Sequence, residues 1–167
     1  VGAVVVSRLI ATVCAKIRER VVGVRPTQRL MIAFDGVAPV AKLEQQRSRR
    51  YKSWFQRRVA ELSAGKPASW DTAAITPGTE FMRQLGEKVR ASFENSRDPC
   101  LPPVVVVSPP DVPGEGEHKI YQYIRDHPTE HADTCTVIYG LDADLIMLTL
   151  NHLHVCPDMH LYRESPE

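Results

Sequence analysis

No CxxC pair occurs in the 167 residues; the four cysteines, Cys14, Cys100, Cys135 and Cys156, lie far apart. That scatter fits reduced, mostly buried thiols in an intracellular protein (cytoplasmic, nuclear or organellar) better than a disulfide framework. Charge of one sign is not in excess either: 21 basic residues face 20 acidic ones. A uniformly basic nucleic-acid coat is therefore excluded, and only the local distribution of charge can matter. No stretch approaches the roughly 20 apolar residues that cross a bilayer, so no membrane partner is expected. Val1–Ala15 is apolar enough to resemble a signal peptide, yet it has no initiator Met and no basic leader, and Arg8 interrupts it. Val6, Leu9, Ile10, Val13, Ile17 and Val21 recur instead at helical spacing, which predicts one amphipathic helix. Internal repeats and low-complexity segments are absent. What is present, 43% apolar and 25% charged residues, is ordinary for one soluble domain with a real core.

The chain alternates strand and helix signals. Arg29–Phe34 (RLMIAF) is a short buried strand that runs into Asp35-Gly36. A polar helix follows from about Val40 to Leu62, just after Pro39. Ala64–Ala74 is a loop, and Thr76-Pro77-Gly78 leads into a helix over Glu80–Phe93. Val104–Val107 is too short and too β-branched to favour helix. The Pro- and Gly-rich loop Ser108–Gly116 precedes a helix near Glu117–Asp126. Thr134–Tyr139 is a third strand, followed by Gly140-Leu141-Asp142-Ala143-Asp144 and a helical LIMLTL, with one more strand near His160–Tyr162. This order indicates an α/β fold with a mostly parallel central sheet flanked by helices. In such folds ligands bind along the edge where the strands end.

Acids concentrate at that edge. The first strand delivers Asp35, the loop after the second carries Asp111, Glu115 and Glu117, and the third delivers Asp142 and Asp144. Carboxylates gathered at one place resist ionisation unless a cation compensates. Oxygen-only ligation suits Mg²⁺, with Mn²⁺ as a substitute, and two such ions support phosphodiester cleavage. Each acid also has a plainer use: Asp142 as a helix cap, Glu117 at a helix N-terminus, Asp35 in a turn with Gly36, and Asp111 as a loop acid. The helix after Asp35 carries Lys42, Arg47, Arg49, Arg50, Lys52, Arg57 and Arg58 against Glu44. Lys42, Gln46, Arg49 and Arg50 fall at i, i+4, i+7 and i+8 and share one face. Guanidinium and ammonium groups placed so suit a terminal phosphate, while a solvated basic face is the plainer reading.

Four segments in order, FDGVAPVAKLEQQRSRRYK (Phe34–Lys52), ITPGTEFM (Ile75–Met82), VPGEGEHKI (Val112–Ile120) and YGLDADLIML (Tyr139–Leu148), resemble the Xrn-type 5′→3′ exoribonucleases. The likeness extends over about residues 4–165, with HLYRE at His160–Glu164 and weaker matching in Ser53–Ala74 and Arg83–Pro103. It implies a PIN/FEN-like nuclease core, here an interior segment of the N-terminal exonuclease domain spanning residues 1–167 and incomplete at both ends. It implies metal ligands and catalytic acids at Asp35, Glu115, Glu117, Asp142 and Asp144, and a 5′-phosphate pocket at Lys42, Gln46, Arg49 and Arg50. It further implies two Mg²⁺ ions, processive release of mononucleotides, and single-stranded RNA with a 5′-monophosphate as substrate. The partner it implies is the remainder of a parent nuclease or a larger ribonucleoprotein. A further metal-binding Asp and a base-stacking His would precede Val1, and another Asp and an aromatic would follow Glu167. Two competing expectations are a catalytically silent nuclease-like RNA- or protein-binding subunit, and a flap- or PIN-type nuclease acting on DNA. The tail cluster His152, His154, Cys156 and His160 fits no common zinc spacing, and structural histidines are expected there.

Overall fold

The computed structural model describes residues 2–64 and 70–164. In chain order the elements are α1 (Gly2–Val24), β1 (Arg29–Ala33), α2 (Val40–Ala64), a 3₁₀ turn at Thr72–Ala74 and α3 (Glu80–Phe93). Then come β2 (Val104–Ser108), α4 (Gly116–Asp126), the single turn α5 (Pro128–His131), β3 (Thr136–Tyr139), α6 (Asp144–His152) and β4 (Met159–Tyr162). Each expected element is found within a few residues of its expected bounds. Of the expected loop after α2, residues 65–69 lie outside the described residues.

Strand pairing among the described residues is parallel, and each pair is joined through helices. β1 pairs with β2, Arg29 beside Val104 through Ala33 beside Ser108. β3 pairs with β4, Thr136 beside Met159 through Tyr139 beside Tyr162. The expected sheet is thus laid out as two parallel pairs rather than one continuous ladder. A cleft of about 980 Å³ lies between them, lined by β1, β3, α1 and α4.

Two apolar cores follow from this layout. The first joins Ile10 and Cys14 of α1 to Met82, Leu85, Val89 and Phe93 of α3 and Val107 of β2. The helical spacing of α1 fits this burial: Val6, Val13 and Ile17 line the same core from its edge. α3 begins where the Thr79 hydroxyl accepts from the Met82 N–H, so the cap lies one residue beyond the Thr76-Pro77-Gly78 entry. The second core holds Tyr121 and Ile124 of α4, Ile138 of β3, Leu145 of α6 and Cys156. α4 also packs on β1 and so ties the two halves together. α2 is different, since none of its described residues is buried. It stands on the surface, held by ion pairs at Lys42 and Arg57.

Candidate active site

The turn after β1 is laced to the turn before α4. The Gly36 N–H donates to the Gly114 carbonyl at 2.8 Å, and the Gly114 N–H donates to the Val37 carbonyl at 3.0 Å. Backbones this close leave no room for a side chain on Gly36. A Cβ on Gly36 would lie 1.8 Å from the Val112 carbonyl oxygen, and Gly114 has a φ of +100°. The lacing fixes Asp35, whose Oδ1 accepts from the Gly116 N–H at 2.6 Å, at the free N–H groups that open α4.

Glu115 occupies the N-cap position of α4 and Glu117 its first turn. Ligand atoms of Glu115, Glu117 and His118 lie within 4.8 Å of one another. His118 Nε2 is 3.5 Å from Glu115 Oε2 and 3.8 Å from Glu117 Oε1. From the other half, β3 runs into Asp142 and Asp144. Asp142 Oδ1 accepts from the Asp144 N–H at 3.0 Å within the turn, while the N-cap of α6 is Ala143 with no side-chain cap bond, so Asp142 does not take the plainer helix-cap role. Arg163 Nη2 donates to the Leu141 carbonyl at 2.7 Å and pins this turn to the end of β4.

The acids share a field. Burial pushes the Glu117 carboxyl above its ordinary value, and the Asp142, Glu115 and Asp144 charges push it further, against His118. A helix N-terminus alone would lower it, so desolvation and like charge win here. The Lys42 ammonium is held above its usual value chiefly by its hydrogen bond to Glu115, with Glu117 and Asp144 adding to the effect. Glu115, Glu117, Asp142 and Asp144 therefore form one electrostatic group, and Asp35 is bonded to the backbone between Glu115 and Glu117. Asp111 is a loop residue outside this set of contacts.

The basic face of α2 reaches the acids at one end. Lys42 Nζ donates to Glu115 Oε2 at 2.8 Å. One turn on, Arg50 Nη2 donates to Gln46 Oε1 at 2.9 Å, and Arg49 and Arg50 are both exposed to solvent. Two residues escape sequence reasoning. Lys119 Nζ donates to the Phe34 carbonyl at 2.8 Å and the Pro109 carbonyl at 3.2 Å, joining the ends of β1 and β2 beneath the acids. Burial lowers its pKa. No periodicity marks Lys119, because its partners lie 85 and 10 residues away. His118, in contrast, stands beside Glu117 in sequence and could have been flagged on that ground.

The tail histidines separate. His152 is buried, its Nδ1–H donating to the Leu148 carbonyl at 2.6 Å while Arg125 Nη1 donates to its Nε2 at 2.6 Å. That is the structural role expected of it. Cys156 is buried in the second core, and His160 lies exposed on β4.

The profile of the family described as XRN 5′-3′ exonuclease N-terminus matches residues 4–165. The chain belongs to this family. XRN relatives include the protein named 5′-3′ exoribonuclease 2 of Schizosaccharomyces pombe, 44% identical over 151 positions that cover 76% of this chain and 15% of the relative. The protein of the same name from Cryptococcus neoformans is 45% identical over 161 positions, 81% of this chain and 14% of the relative. That from Emericella nidulans is 39% identical over 184 aligned positions, 91% of this chain and 18% of the relative. The chain thus spans between 14% and 18% of the length of these XRN relatives. The XRN match takes in every acid and every basic residue of the site.

Proposed function

We propose that this chain supplies the acid edge and the phosphate-binding helix of a divalent-metal-dependent 5′→3′ exoribonuclease that degrades 5′-monophosphorylated RNA processively. The observation that carries the reading is the Lys42–Glu115 contact, which joins the basic face of α2 to the acid edge. A terminal phosphate held by Lys42, Gln46, Arg49 and Arg50 would place the first internucleotide linkage over Glu115, Glu117, Asp142 and Asp144.

The residues fit a divalent cation. Glu117 is raised by burial and like charge, and a cation would relieve both penalties at this oxygen-rich set. Asp35, Glu115, Glu117, Asp142 and Asp144 would hold it, with Mg²⁺ the expected ion and Mn²⁺ a substitute; two ions are expected for an acid set of this size. When bound, such ions supply an activated water and stabilise the leaving oxygen. The chain's own part is to orient and to select. Gly36 and Gly114 hold the two turns together, Lys119 ties the strand ends beneath them, and the guanidinium forks of α2 grip the phosphate.

The test uses the full-length protein and 5′-labelled single-stranded RNA. Mg²⁺-dependent release of mononucleotides is expected, stopped by chelation and restored by Mg²⁺ or Mn²⁺. Asp142→Ala should abolish hydrolysis while the thermal melt stays close to wild type, since relief of repulsion offsets the lost turn bond. Activity within a few fold of wild type would remove Asp142 from the site. Arg50→Ala should weaken use of monophosphate RNA by about 1.5–3 kcal/mol relative to hydroxyl-ended RNA. An equal loss on both ends would reassign Arg50 to a general backbone contact. RNA binding without hydrolysis would overturn the enzyme reading, and cleavage of DNA flaps alone would overturn the substrate.

A further inference from the structure

Cys135 lies 23 positions before Asp158 and 25 before His160, yet the ligand atoms of the three lie within 4.8 Å of one another. The β3–β4 register explains the meeting. Thr136 pairs with Met159 and Val137 with His160, so Cys135 stands beside Asp158 one step before the ladder begins. The Thr136 N–H donates to the Asp158 carbonyl at 2.9 Å and closes that end of the pair. Side chains on a strand alternate between faces, and paired residues share a face. Asp158 and His160, two apart, therefore point the same way, and Cys135 points with them.

We infer that Cys135, Asp158 and His160 form a binding site for a divalent metal ion of the zinc class. Donor chemistry selects the class: a thiol and an imidazole are poor partners for Mg²⁺ and good ones for Zn²⁺, with one carboxylate completing a mixed S, N, O set. The geometry is near what such an ion needs. Ligands about 2.0–2.3 Å from a tetrahedral ion lie roughly 3.3–3.7 Å apart. His160 Nε2 and Asp158 Oδ1 are already 2.9 Å apart, and the exposed side chains close the rest by small rotations. All three residues are exposed, so a fourth position is open to water. Cys156 is not a member, since it is buried and its thiol is directed at the Asp158 carbonyl at 3.9 Å. The Cys135 thiol is held above its ordinary value by partial desolvation and then by the facing Asp158 carboxylate, so it stays protonated until an ion displaces the proton. The site lies where β3 and β4 begin. The acid edge lies where β3 ends, about 13 Å away at roughly 3.3 Å per residue along the strand. It is therefore separate from the acid edge and does not rest on the proposed nuclease function.

The experiment is a Co²⁺ titration of the purified chain, reduced with a phosphine, stripped with chelator and kept in excess Mg²⁺ to occupy oxygen-ligand sites. A near-ultraviolet thiolate-to-cobalt band should grow to one equivalent and disappear on addition of Zn²⁺. Cys135→Ser should abolish the band, and His160→Ala should weaken binding by at least about tenfold, because losing even a supporting residue costs about 10–100-fold. Cys100→Ser, at the other exposed cysteine, should change nothing. All three positions are exposed, so these variants are expected to fold, and an unchanged thermal melt checks it. A missing band in the wild type, or a band that survives Cys135→Ser, would overturn the assignment.

Discussion

Glu117 carries two opposed influences, a helix N-terminus that favours its charge and a crowd of neighbouring acids with partial burial that oppose it. The opposition wins, and the carboxyl titrates above its ordinary 4.5. Between that value and the raised one, the folded chain holds more protons at this site than the unfolded chain. Stability therefore falls as pH rises through this window, and the penalty is fully present above the raised pKa. In metal-free buffer, Glu117→Gln should melt at a higher temperature than wild type at pH 7, and the difference should shrink below pH 4.5. Thermal melts of both proteins at the two pH values check this. A divalent ion should narrow the pH 7 gap by stabilising the wild type more. A gap that grows toward low pH would mean that the N-terminal dipole dominates after all.

The strand-to-turn connections show how elements are held in place by residues that carry no chemistry. Gly36 is pressed against Val112 so closely that a methyl group cannot be added without moving the turn. Gly36→Ala should cost at least about 2 kcal/mol, as overpacking of a fixed backbone does, and should also carry Asp35 away from Gly116. A Cβ on Gly23, near the end of α1, would meet nothing within 4 Å, and alanine there should instead stabilise by about 0.4–1 kcal/mol. Urea unfolding of the two variants beside wild type measures both signs. α2 is the contrasting element. With no buried residue among those described, it owes its place to Lys42–Glu115 and Arg57–Asp71, so raised salt should loosen it sooner than α3, which is seated in the first core.

Across the whole molecule, each of the four strands has one partner among the described residues, so each leaves a row of backbone donors and acceptors unpaired by another strand. β1 and β3 both line the cleft of about 980 Å³ between the two pairs. Arg29–Glu130 and Arg20–Glu164 pair at its rim, and the Arg29 and Arg20 guanidiniums lie over the Tyr123 and Tyr139 rings. Open edges of this kind recruit other strands. The chain by itself should associate reversibly with rising concentration in sedimentation velocity. Val137→Lys on β3 should suppress the association, whereas Val4→Lys on the outer face of α1 should not. Equal behaviour of the two variants would place the contact elsewhere.

By itself the sequence determined the strands and the longer helices, because their signals are local, but not the short turns at Thr72–Ala74 and Pro128–His131. The run VVVV, too short and too β-branched to favour helix, forms the strand β2, and Phe81, Leu85 and Val89 at four-residue steps marked α3 over Glu80–Phe93 as found. It also determined that acids follow β1, β2 and β3, and that Lys42, Gln46, Arg49 and Arg50 share one side of α2. Tertiary structure alone decided which strands pair, leaving two separate pairs with a cleft between them. It alone brought Lys42 to Glu115 across 73 residues, set Lys119 beneath Phe34, and drew His160 out of the tail cluster to meet Cys135 and Asp158. The physical reason is reach. Propensity and periodicity act over a few residues, whereas these contacts depend on strand register and on two glycine turns pressed together, and neither is encoded at short range.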